Sequence, residues 1–526
     1  MSESGPGSPR GSSSADGADG ERPTRSPIRA LDPTTAKRQL NGDPPRPALY
    51  LSDRLIATNI PRDAPRDPEA DDALGEALRG RGLRYRVNRR PGGTRDLEDP
   101  GWGTTITLEA LDSIDPVDAW TTLQELRQSN RELAEGLSLE HVLRPADGYW
   151  GGIGGYWGGI GGYWGGIGGY WGGIGGYWGG IGASALQEYA VPGRGGRMPV
   201  SLALPDPALR ARKVDRSPVV AVLDTPIADH PWFRGDSAGV VRLRFEDGGL
   251  VPEPPKETVT DPPTDPPPPV EPVGLLQGHA TFIAGLIRQG CPEATILSIP
   301  VMDDDGVVDE SHLLDVLEAL LARHRAGQKR GGSKADVVDV LSLSMGYYAE
   351  DTTYTSGPVR TMLGHFAEAG VTVVAGAGND GTDAPFVPAS LAAFLPKPSE
   401  PQVPPVSSVG ASNPDCTTVA LFSNPLTVIS AVRPGVSLVS TLPLTDGMGQ
   451  PSSSVTGLTG VRCTVDPDDY TGGFGVWSGT SFATPVFAAE VATALVAEGH
   501  LKDVTTPAMC QRAVNALHSC IGKDPK

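Results

Sequence analysis

Ser478-Gly-Thr-Ser-Phe-Ala-Thr-Pro485 places one serine, Ser481, immediately before a long apolar run rich in alanine and valine. That run is typical of a buried helix, and the sequence predicts a helix over residues 481–498. A serine at the start of a helix lies among unpaired backbone N–H groups, where the helix dipole stabilises negative charge. It can serve as an N-cap or as a nucleophile, and partners elsewhere in the chain decide between the two roles.

Two upstream segments supply the partners of a nucleophilic serine, which are a general base and a carboxylate that orients the base. Val219-Val-Ala-Val-Leu223 predicts a buried parallel strand that ends at Asp224, on the edge where α/β proteins build their sites. Gly278-His-Ala-Thr-Phe-Ile-Ala-Gly285 predicts a helix with His279 in its first turn. Taken alone, Asp224 could cap a turn and His279 could be structural.

The three residues occur in the order Asp224, His279, Ser481, which is the chain order of subtilisin. The segments around them resemble the motifs of the subtilases, the subtilisin-like serine proteases, and the serine motif matches closely. The resemblance covers residues 217–521. It implies a serine endopeptidase that acts on proteins or peptides, with Asp224, His279 and Ser481 as its catalytic triad.

Two further segments receive roles from the same resemblance. Asn379 would donate its side-chain N–H to the oxyanion, together with the Ser481 backbone N–H, although by itself Asn379 is an ordinary turn residue. The predicted strand 337–344 would pair with an extended substrate. The residues implied to line the principal side-chain pocket are Ser344, Met345, Gly346, Ala375, Gly376, Ala377 and Gly378. Because these walls are uncharged and mostly small, we expect a preference for apolar or uncharged side chains.

The sequence departs from the family pattern beside the triad. Pro226 replaces the glycine that usually follows Asp-Thr, and Ala280 replaces the glycine that usually follows the histidine. Proline removes an N–H and fixes φ, whereas alanine adds only a methyl group. Neither change removes a catalytic group, but both put the catalytic efficiency in question. A catalytically inactive subtilase fold that binds peptides along residues 340–346 is therefore an alternative.

Strands and helices are predicted to alternate through residues 217–521. This alternation indicates a subtilisin-like, doubly wound α/β domain with a mostly parallel sheet and helices on both faces. The proline-dense stretch 252–273 must be a surface insertion, because proline cannot enter a central strand. The predicted strands are 219–223, 295–299, 337–344 and 371–376, and the predicted helices are 279–288, 311–325, 357–369 and 481–498.

Residues 46–147 carry a different pattern, with the predicted order β-α-β-β-α-β of a small α+β ferredoxin-like domain. In front of a subtilase domain, this unit resembles the family's propeptide, which templates folding and then lays its C-terminal tail in the cleft as an intramolecular inhibitor. An unrelated small domain is the alternative. The predicted strands are 48–57, 83–88, 104–109 and 137–143, and the predicted helices are 70–81 and 115–126.

The remaining segments lack hydrophobic periodicity. Residues 1–45 are predicted to be disordered, and 183–216 to be a loose linker. Residues 148–182 are five identical copies of Gly-Tyr-Trp-Gly-Gly-Ile-Gly, which favours a flexible spacer. Alternatively, the aromatic side chains mediate self-association or binding to a partner, or they occupy the cleft. In a further alternative, the N-terminal half is a self-associating scaffold and the protease is its regulator.

Composition excludes several classes of function. A net charge of −19 over 526 residues argues against nucleic-acid binding, and five cysteines do not make a disulfide framework. We find no signal peptide and no run that we judge long enough to span a bilayer, so we expect a cytoplasmic protein without a membrane partner, secreted only if the start codon is misassigned. No cofactor is expected. Asp303-Asp-Asp-Gly306, together with Asp309 and Glu310, invites a structural calcium ion, but the ligand spacing favours a solvated turn.

Overall fold

The computed structural model describes residues 27–67, 72–88, 102–111, 116–145, 197–233, 239–254, 276–302, 306–395, 403–444, 454–463 and 470–521. These residues form an N-terminal domain, 27–145, and a C-terminal domain, 197–521. The N-terminal domain contains β1 (Ile28–Ala30), β2 (Leu49–Ala57), α1 (Ala73–Arg79), β3 (Leu83–Asn88), β4 (Thr104–Ala110), α2 (Ala119–Ser129), α3 (Arg131–Ala134) and β5 (Leu137–Pro145).

The C-terminal domain is larger and contains β6 (Met198–Pro199), β7 (Val219–Asp224), β8 (Val240–Glu246), β9 (Gly249–Pro252), α4 (His279–Gly290), β10 (Thr295–Pro300), β11 (Val308–Asp309), α5 (Glu310–Gln328), β12 (Val340–Leu343), β13 (Met345–Tyr348), α6 (Pro358–Glu368), β14 (Thr372–Gly376), β15 (Phe386–Val387), β16 (Ser407–Ser412), β17 (Ala431–Pro434), β18 (Leu438–Thr441), β19 (Ser454–Gly457), β20 (Gly460–Cys463), β21 (Phe474–Trp477), α7 (Thr480–Glu498) and α8 (Thr506–Ile521).

The centre of the C-terminal domain is a sheet with the strand order β17-β16-β14-β12-β7-β10-β8-β9. Its neighbouring strands are parallel except for the β8–β9 hairpin at one edge. Side chains of β7 alternate between two cores: Val219 and Leu223 pack with α5 and α6, whereas Val220 packs with α4, α7 and α8. The predicted mostly parallel sheet with helices on both faces is therefore confirmed.

The sheet of the N-terminal domain has the order β3-β4-β2-β5, with all neighbours antiparallel. Trp120 of α2, which is fully buried, packs with Leu55 of β2 and Leu139 of β5 in a core of its own. The helix begins later than the sequence predicts because Asp118 caps it, accepting a hydrogen bond from the Trp120 backbone N–H at 3.2 Å.

The last strand of the N-terminal domain joins the two domains. β5 lies between β11 and β13 and pairs antiparallel with both, with Leu143 opposite Val308 and Pro145 opposite Met345. Leu143 is fully buried and belongs to the hydrophobic core of the C-terminal domain. A strand of one domain thus completes a small sheet of the other.

Two segments predicted to be irregular are folded where the structure describes them. Residues 27–45, expected to be disordered, include β1, which pairs with β2, and the buried Leu31. Residues 197–216, expected to be a loose linker, include β6, which pairs with β21, and end at Arg216, whose guanidinium contacts both carboxylate oxygens of Asp339 at 2.6 and 2.7 Å. These segments are ordered by contacts with distant parts of the chain, so their own sequences carry no hydrophobic periodicity that would predict the structure.

Several predictions lie outside the described residues. They concern the tail before residue 27, the repeat 148–182 with the segment up to residue 196, and most of the proline-dense stretch, 255–275. Asp303, Asp304 and Asp305 of the calcium candidate also lie outside them.

Helix α7 is the one helix in the described part of the chain that is long and apolar enough to cross a membrane, so the expectation that no run is long enough was wrong. Two thirds of its apolar window, 67%, is buried inside the protein, against α4, α8 and the strands of the main sheet. Its apolar composition is therefore explained by its place in the core.

Gly285 of α4 offers a test of this packing. A Cβ on Gly285 would overlap the hydroxyls of Ser440 and Thr441 and lie 2.9 Å from the Thr441 nitrogen, whereas one on Gly364 of α6 would meet Leu395 at 3.7 Å. In a Ser481→Ala background, which removes the nucleophile that the sequence predicts, we expect Gly285→Ala to lower the free energy of unfolding by about 1–3 kcal/mol. Gly364→Ala should raise it by about 0.5–1 kcal/mol. Urea denaturation measures both, and equal effects would contradict the packing.

Candidate active site

The structure brings Asp224 and His279 together at the carboxyl edge of the main sheet. Asp224 is the last residue of β7, and His279 is the first residue of α4. The Nδ1 of His279 lies 2.7 Å from Oδ1 of Asp224, and the two side chains are 0% and 1% exposed. Asp224 Oδ1 also accepts a hydrogen bond from the Thr225 backbone N–H at 2.7 Å, which holds the carboxylate in place.

Ser481 reaches the same edge as the second residue of α7. Its hydroxyl donates to the Ser344 carbonyl oxygen at 3.0 Å, and the Ser344 hydroxyl donates to the Ser481 carbonyl oxygen at 2.9 Å. These reciprocal bonds fix the first turn of α7 to the end of β12. Ser481 is fully buried, and the aromatic rings of Phe482 and Trp477 lie beside the imidazole of His279.

Asn379 lies next to this turn and is oriented by it. Its side-chain Oδ1 accepts a hydrogen bond from the Thr480 backbone N–H at 2.9 Å, which identifies the other end of the amide as the donor. That Nδ2 group is buried and has no hydrogen-bond partner within the described residues. A buried amide donor without a partner is costly, so it is suited to an oxygen supplied by a bound molecule.

The predicted pocket walls also come together. β12 and β14 are parallel neighbours, with Leu343 opposite Ala375, so the segment 344–346 after β12 and the segment 375–378 at the end of β14 lie at one edge of the sheet. Gly378 has a φ of +99°, and a Cβ there would overlap the Asn424 side chain. The glycine is thus required both by the backbone conformation and by the close approach of Asn424.

Asn424 fastens the loop that carries Asn379. Its Oδ1 accepts from the backbone N–H groups of Asp380 and Thr382 at 3.0 and 3.1 Å, and its Nδ2 donates to the Ala377 carbonyl at 3.0 Å. Burial raises the pKa of the Asp380 carboxyl, against the opposing effect of a 2.5 Å hydrogen bond from the Tyr348 hydroxyl. The loop beneath the pocket is therefore held by a buried polar network.

Comparison with known proteins decides the family. The model of the subtilase family matches residues 215–518, which is more than half of the chain. The chain belongs to the subtilase family. A curated relative, a thermophilic serine proteinase of Bacillus sp. (strain AK1), is 28% identical over 177 residues, covering 32% of this chain and 36% of the relative. The chain thus spans little more than a third of that relative's length.

Two solved structures of proteases are similar at low identity. The patellamide maturation protease PatA is 21% identical, with a TM-score of 0.35 over 57% of this chain and 84% of that chain. The prenylagaramide maturation protease PagA is 20% identical, with a TM-score of 0.33 over 56% of this chain and 82% of that chain.

The two departures from the subtilase pattern are accommodated without disturbing the site. Pro226 is exposed, and Ala280 is fully buried while its backbone N–H donates to the Thr225 hydroxyl at 3.0 Å. That bond links α4 to the residue after Asp224 and so supports the Asp224–His279 contact. Both substitutions leave the hydrogen bond between the carboxylate and the imidazole intact.

Sequence reasoning missed the residues that position the site. Thr480 lies inside the serine motif, yet only the folded chain shows that its N–H orients Asn379 and that its hydroxyl accepts from the Gly378 N–H at 3.1 Å. The sequence alone assigns no role to Asn424. For metals, no group of three or more potential His, Cys, Asp or Glu ligands occurs among the residues that the structure describes.

Replacing Asn424 by alanine tests the fastening of the loop that carries Asn379. We expect Asn424→Ala to leave the N–H groups of Asp380 and Thr382 without partners, at a cost of about 1–3 kcal/mol each. It should also displace Asn379, lowering the reactivity of Ser481 toward a fluorophosphonate by about tenfold or more. Asn413→Ala, which removes hydrogen bonds in an exposed loop, is the matched control and should change neither property. Equal reactivity of the two variants would contradict the role of Asn424.

Proposed function

We propose that this subtilase is a serine endopeptidase that hydrolyses peptide bonds of protein or peptide substrates. The observation that carries the proposal is the convergence of Asp224, His279, Ser481 and Asn379, all buried, at the carboxyl edge of one parallel sheet. The 2.7 Å contact between Asp224 and His279 has the geometry that a general base requires from its orienting carboxylate.

In the proposed reaction, Ser481 Oγ turns from the Ser344 carbonyl to His279 and attacks the scissile carbonyl carbon. His279 Nε2 takes the hydroxyl proton and later donates it to the leaving amine. Asp224 holds Nδ1–H in place and stabilises the imidazolium that forms between these steps. Water then hydrolyses the acyl-enzyme by the same route. The mechanism needs no cofactor.

Asn379 Nδ2 and the Ser481 backbone N–H would stabilise the oxyanion of the tetrahedral intermediate. The Thr480 N–H supports this role because it holds the amide oxygen of Asn379 and so leaves the Nδ2 end to donate to the oxyanion. A fixed donor needs no reorganisation when charge develops on the oxygen. The segments 344–346 and 375–378 would hold the principal side chain of the substrate, and a preference for apolar or uncharged side chains stays a prediction.

We further propose that the N-terminal domain is a ferredoxin-like intramolecular inhibitor. Its element order β-α-β-β-α-β and sheet order β3-β4-β2-β5 support this fold. Its β5 pairs with Met345 and Gly346, two of the residues predicted to bind substrate. An extended strand that holds these backbone groups excludes a substrate from them.

A fluorophosphonate probe, which phosphonylates an activated serine, tests the protease proposal. We expect it to label protein whose loss of the N-terminal domain has been verified by mass, with one adduct on the peptide that contains Ser481. Ser481→Ala is the matched control and should take up no label. Absence of label from the verified wild-type protein would contradict the proposal.

Leu143→Asp tests the inhibitor proposal in the intact chain. The variant buries a carboxylate in the core of the C-terminal domain, where no partner replaces the lost apolar contacts. We expect β5 to detach and the rate of fluorophosphonate labelling of full-length protein to rise about tenfold or more. Leu111→Asp, at a position 43% exposed in the same domain, is the matched control. Equal labelling rates for the two variants would refute inhibition by β5.

A further inference from the structure

His141 of β5 inserts into a charged pocket of the C-terminal domain. Residues 141, 143 and 145 alternate with their neighbours along the strand, so their side chains lie on one face, the face on which Leu143 enters the core of the C-terminal domain. His141 is four residues before Pro145, which pairs with Met345. The pocket is therefore a fixed distance along the strand from the predicted substrate-binding residues.

Three residues of the C-terminal domain form this pocket. Glu310 Oε2 lies 2.6 Å from Nδ1 of His141, and Glu350 Oε2 lies 2.8 Å from Nε2. The ring of Tyr347 stacks on the imidazole, with centroids 4.0 Å apart and an interplanar angle of 11°. A histidine that meets a carboxylate at each ring nitrogen donates two hydrogen bonds, which only the imidazolium form can do.

The two carboxylates are strongly buried, with Glu310 1% and Glu350 2% exposed. Two buried carboxylates that face one another repel and are poorly solvated unless a cation lies between them. Oε1 of Glu350 is buried and has no hydrogen-bond partner within the described residues. The pocket therefore favours a cation, and Oε1 of Glu350 can accept a further hydrogen bond from it.

Neighbouring charged groups are engaged elsewhere. Asp351 is paired with Arg127 at 2.9 Å, and Glu140 accepts a hydrogen bond from the Ser311 hydroxyl and lies 4.0 Å from Arg54. Across the sheet, Tyr50 faces His141 but donates its hydroxyl to Asp118 at 2.7 Å. The Tyr347 hydroxyl reaches Glu310 at 3.4 Å.

The charge on His141 follows from this setting. Burial disfavours the charged ring, but Glu350 and Glu310 outweigh burial and raise the pKa of His141 to about 10. A group whose pKa is raised on docking stabilises the docked state fully at pH values below its free pKa of 6.5. That stabilisation is lost as the pH rises toward about 10. The contact is therefore strongest in mildly acidic solution, below about pH 6.5, and weakens as the pH rises through neutrality.

We propose that Glu310, Glu350 and Tyr347 form a cation-binding subsite of the substrate cleft, which His141 fills in this state and a basic side chain of the substrate fills once β5 has left. The subsite rests on the proposed protease function. A substrate strand in the place of β5 puts its basic residue four positions before the residue opposite Met345. Because the cation must be flat to stack on Tyr347, histidine and arginine bind in preference to lysine.

Chemical rescue of a vacated pocket tests the cation site in the full chain, independently of catalysis. The protein is His141→Gly in a Ser481→Ala background, near pH 6, where free imidazole is largely protonated. We expect imidazole to raise the Tm of this variant more than that of the Ser481→Ala parent. Pyrazole, a neutral ring of the same shape, should not, and adding Glu350→Gln should abolish the imidazole effect. Equal effects of the two rings, or none from either, would overturn the cation site.

A second measurement covers the case in which His141→Gly does not fold. With His141 retained, Glu350→Gln removes one of the two carboxylates, so the pKa of the His141 ring should fall when followed by NMR. Glu368→Gln, at a carboxylate near the end of α6 that is 53% exposed, is the matched control and should leave the pKa of His141 unchanged. A pKa that does not move in Glu350→Gln contradicts the site.

Paired peptide substrates test the use of the site by the protease. Both peptides contain Leu-Glu-Xaa-Val-Leu-Arg-Pro, the sequence of residues 139–145, ahead of a cleavable segment, with Xaa as histidine or glutamine. We expect kcat/KM to be about tenfold or more higher for histidine near pH 6, and Glu350→Gln but not Glu368→Gln to remove the difference. Equal cleavage of the two peptides would overturn the subsite and leave the protease standing. Cleavage of neither would contradict the proposed function and, with it, this use of the site.

Discussion

Burial of helix α7 is the constraint on which the site depends. The helix packs against α4, α8 and five strands of the main sheet, including β7, β12 and β14. Because its first residues are fully enclosed, Ser481 cannot move independently of the sheet edge where Asp224 and His279 lie. The same packing places the Thr480 N–H against Asn379. One core helix thus sets the position of the serine and of the amide beside it.

The polar contacts at this edge form a connected set. Thr225 links the Asp224 carboxylate to α4, Ser344 exchanges hydrogen bonds with Ser481, and Asn424 holds the loop after β14. Buried groups in such a network are costly to leave unpaired, so each contact limits the movement of its neighbours. This explains how Pro226 and Ala280 are tolerated: neither side chain takes part in the network.

The sequence predicted the features that have local signals. The buried runs of β7, β10 and β14 and the helices α4, α5, α6 and α7 were found within a few residues, because their hydrophobic patterns are continuous. The β8–β9 hairpin, β6 with β21, and β1 were missed because distant pairing, rather than local pattern, stabilises them. The contacts of His141 were also beyond sequence reasoning, since Glu310 and Glu350 lie 169 and 209 positions from it.

The two domains meet through chemistry that a substrate would also use. β5 supplies backbone pairing to β13, an apolar side chain to the core and a cation to the Glu310–Glu350 pocket. Under the proposed inhibition, β5 occupies the place of a substrate strand and uses the contacts that such a strand would use. In that case the same surface of the C-terminal domain determines both how strongly β5 binds and which substrate side chains the cleft prefers once β5 has left.

Rapid-quench mass spectrometry with an activated ester tests the central claim, that Ser481 is the nucleophile of an acyl-transfer reaction, most directly. Protein freed of its N-terminal domain is mixed with a p-nitrophenyl ester, quenched in acid and digested. The account predicts a burst of nitrophenol and one acyl group on the peptide that contains Ser481. The acyl group should disappear as the ester is exhausted. Acylation at another residue, or nitrophenol release without an acyl-protein, would contradict it.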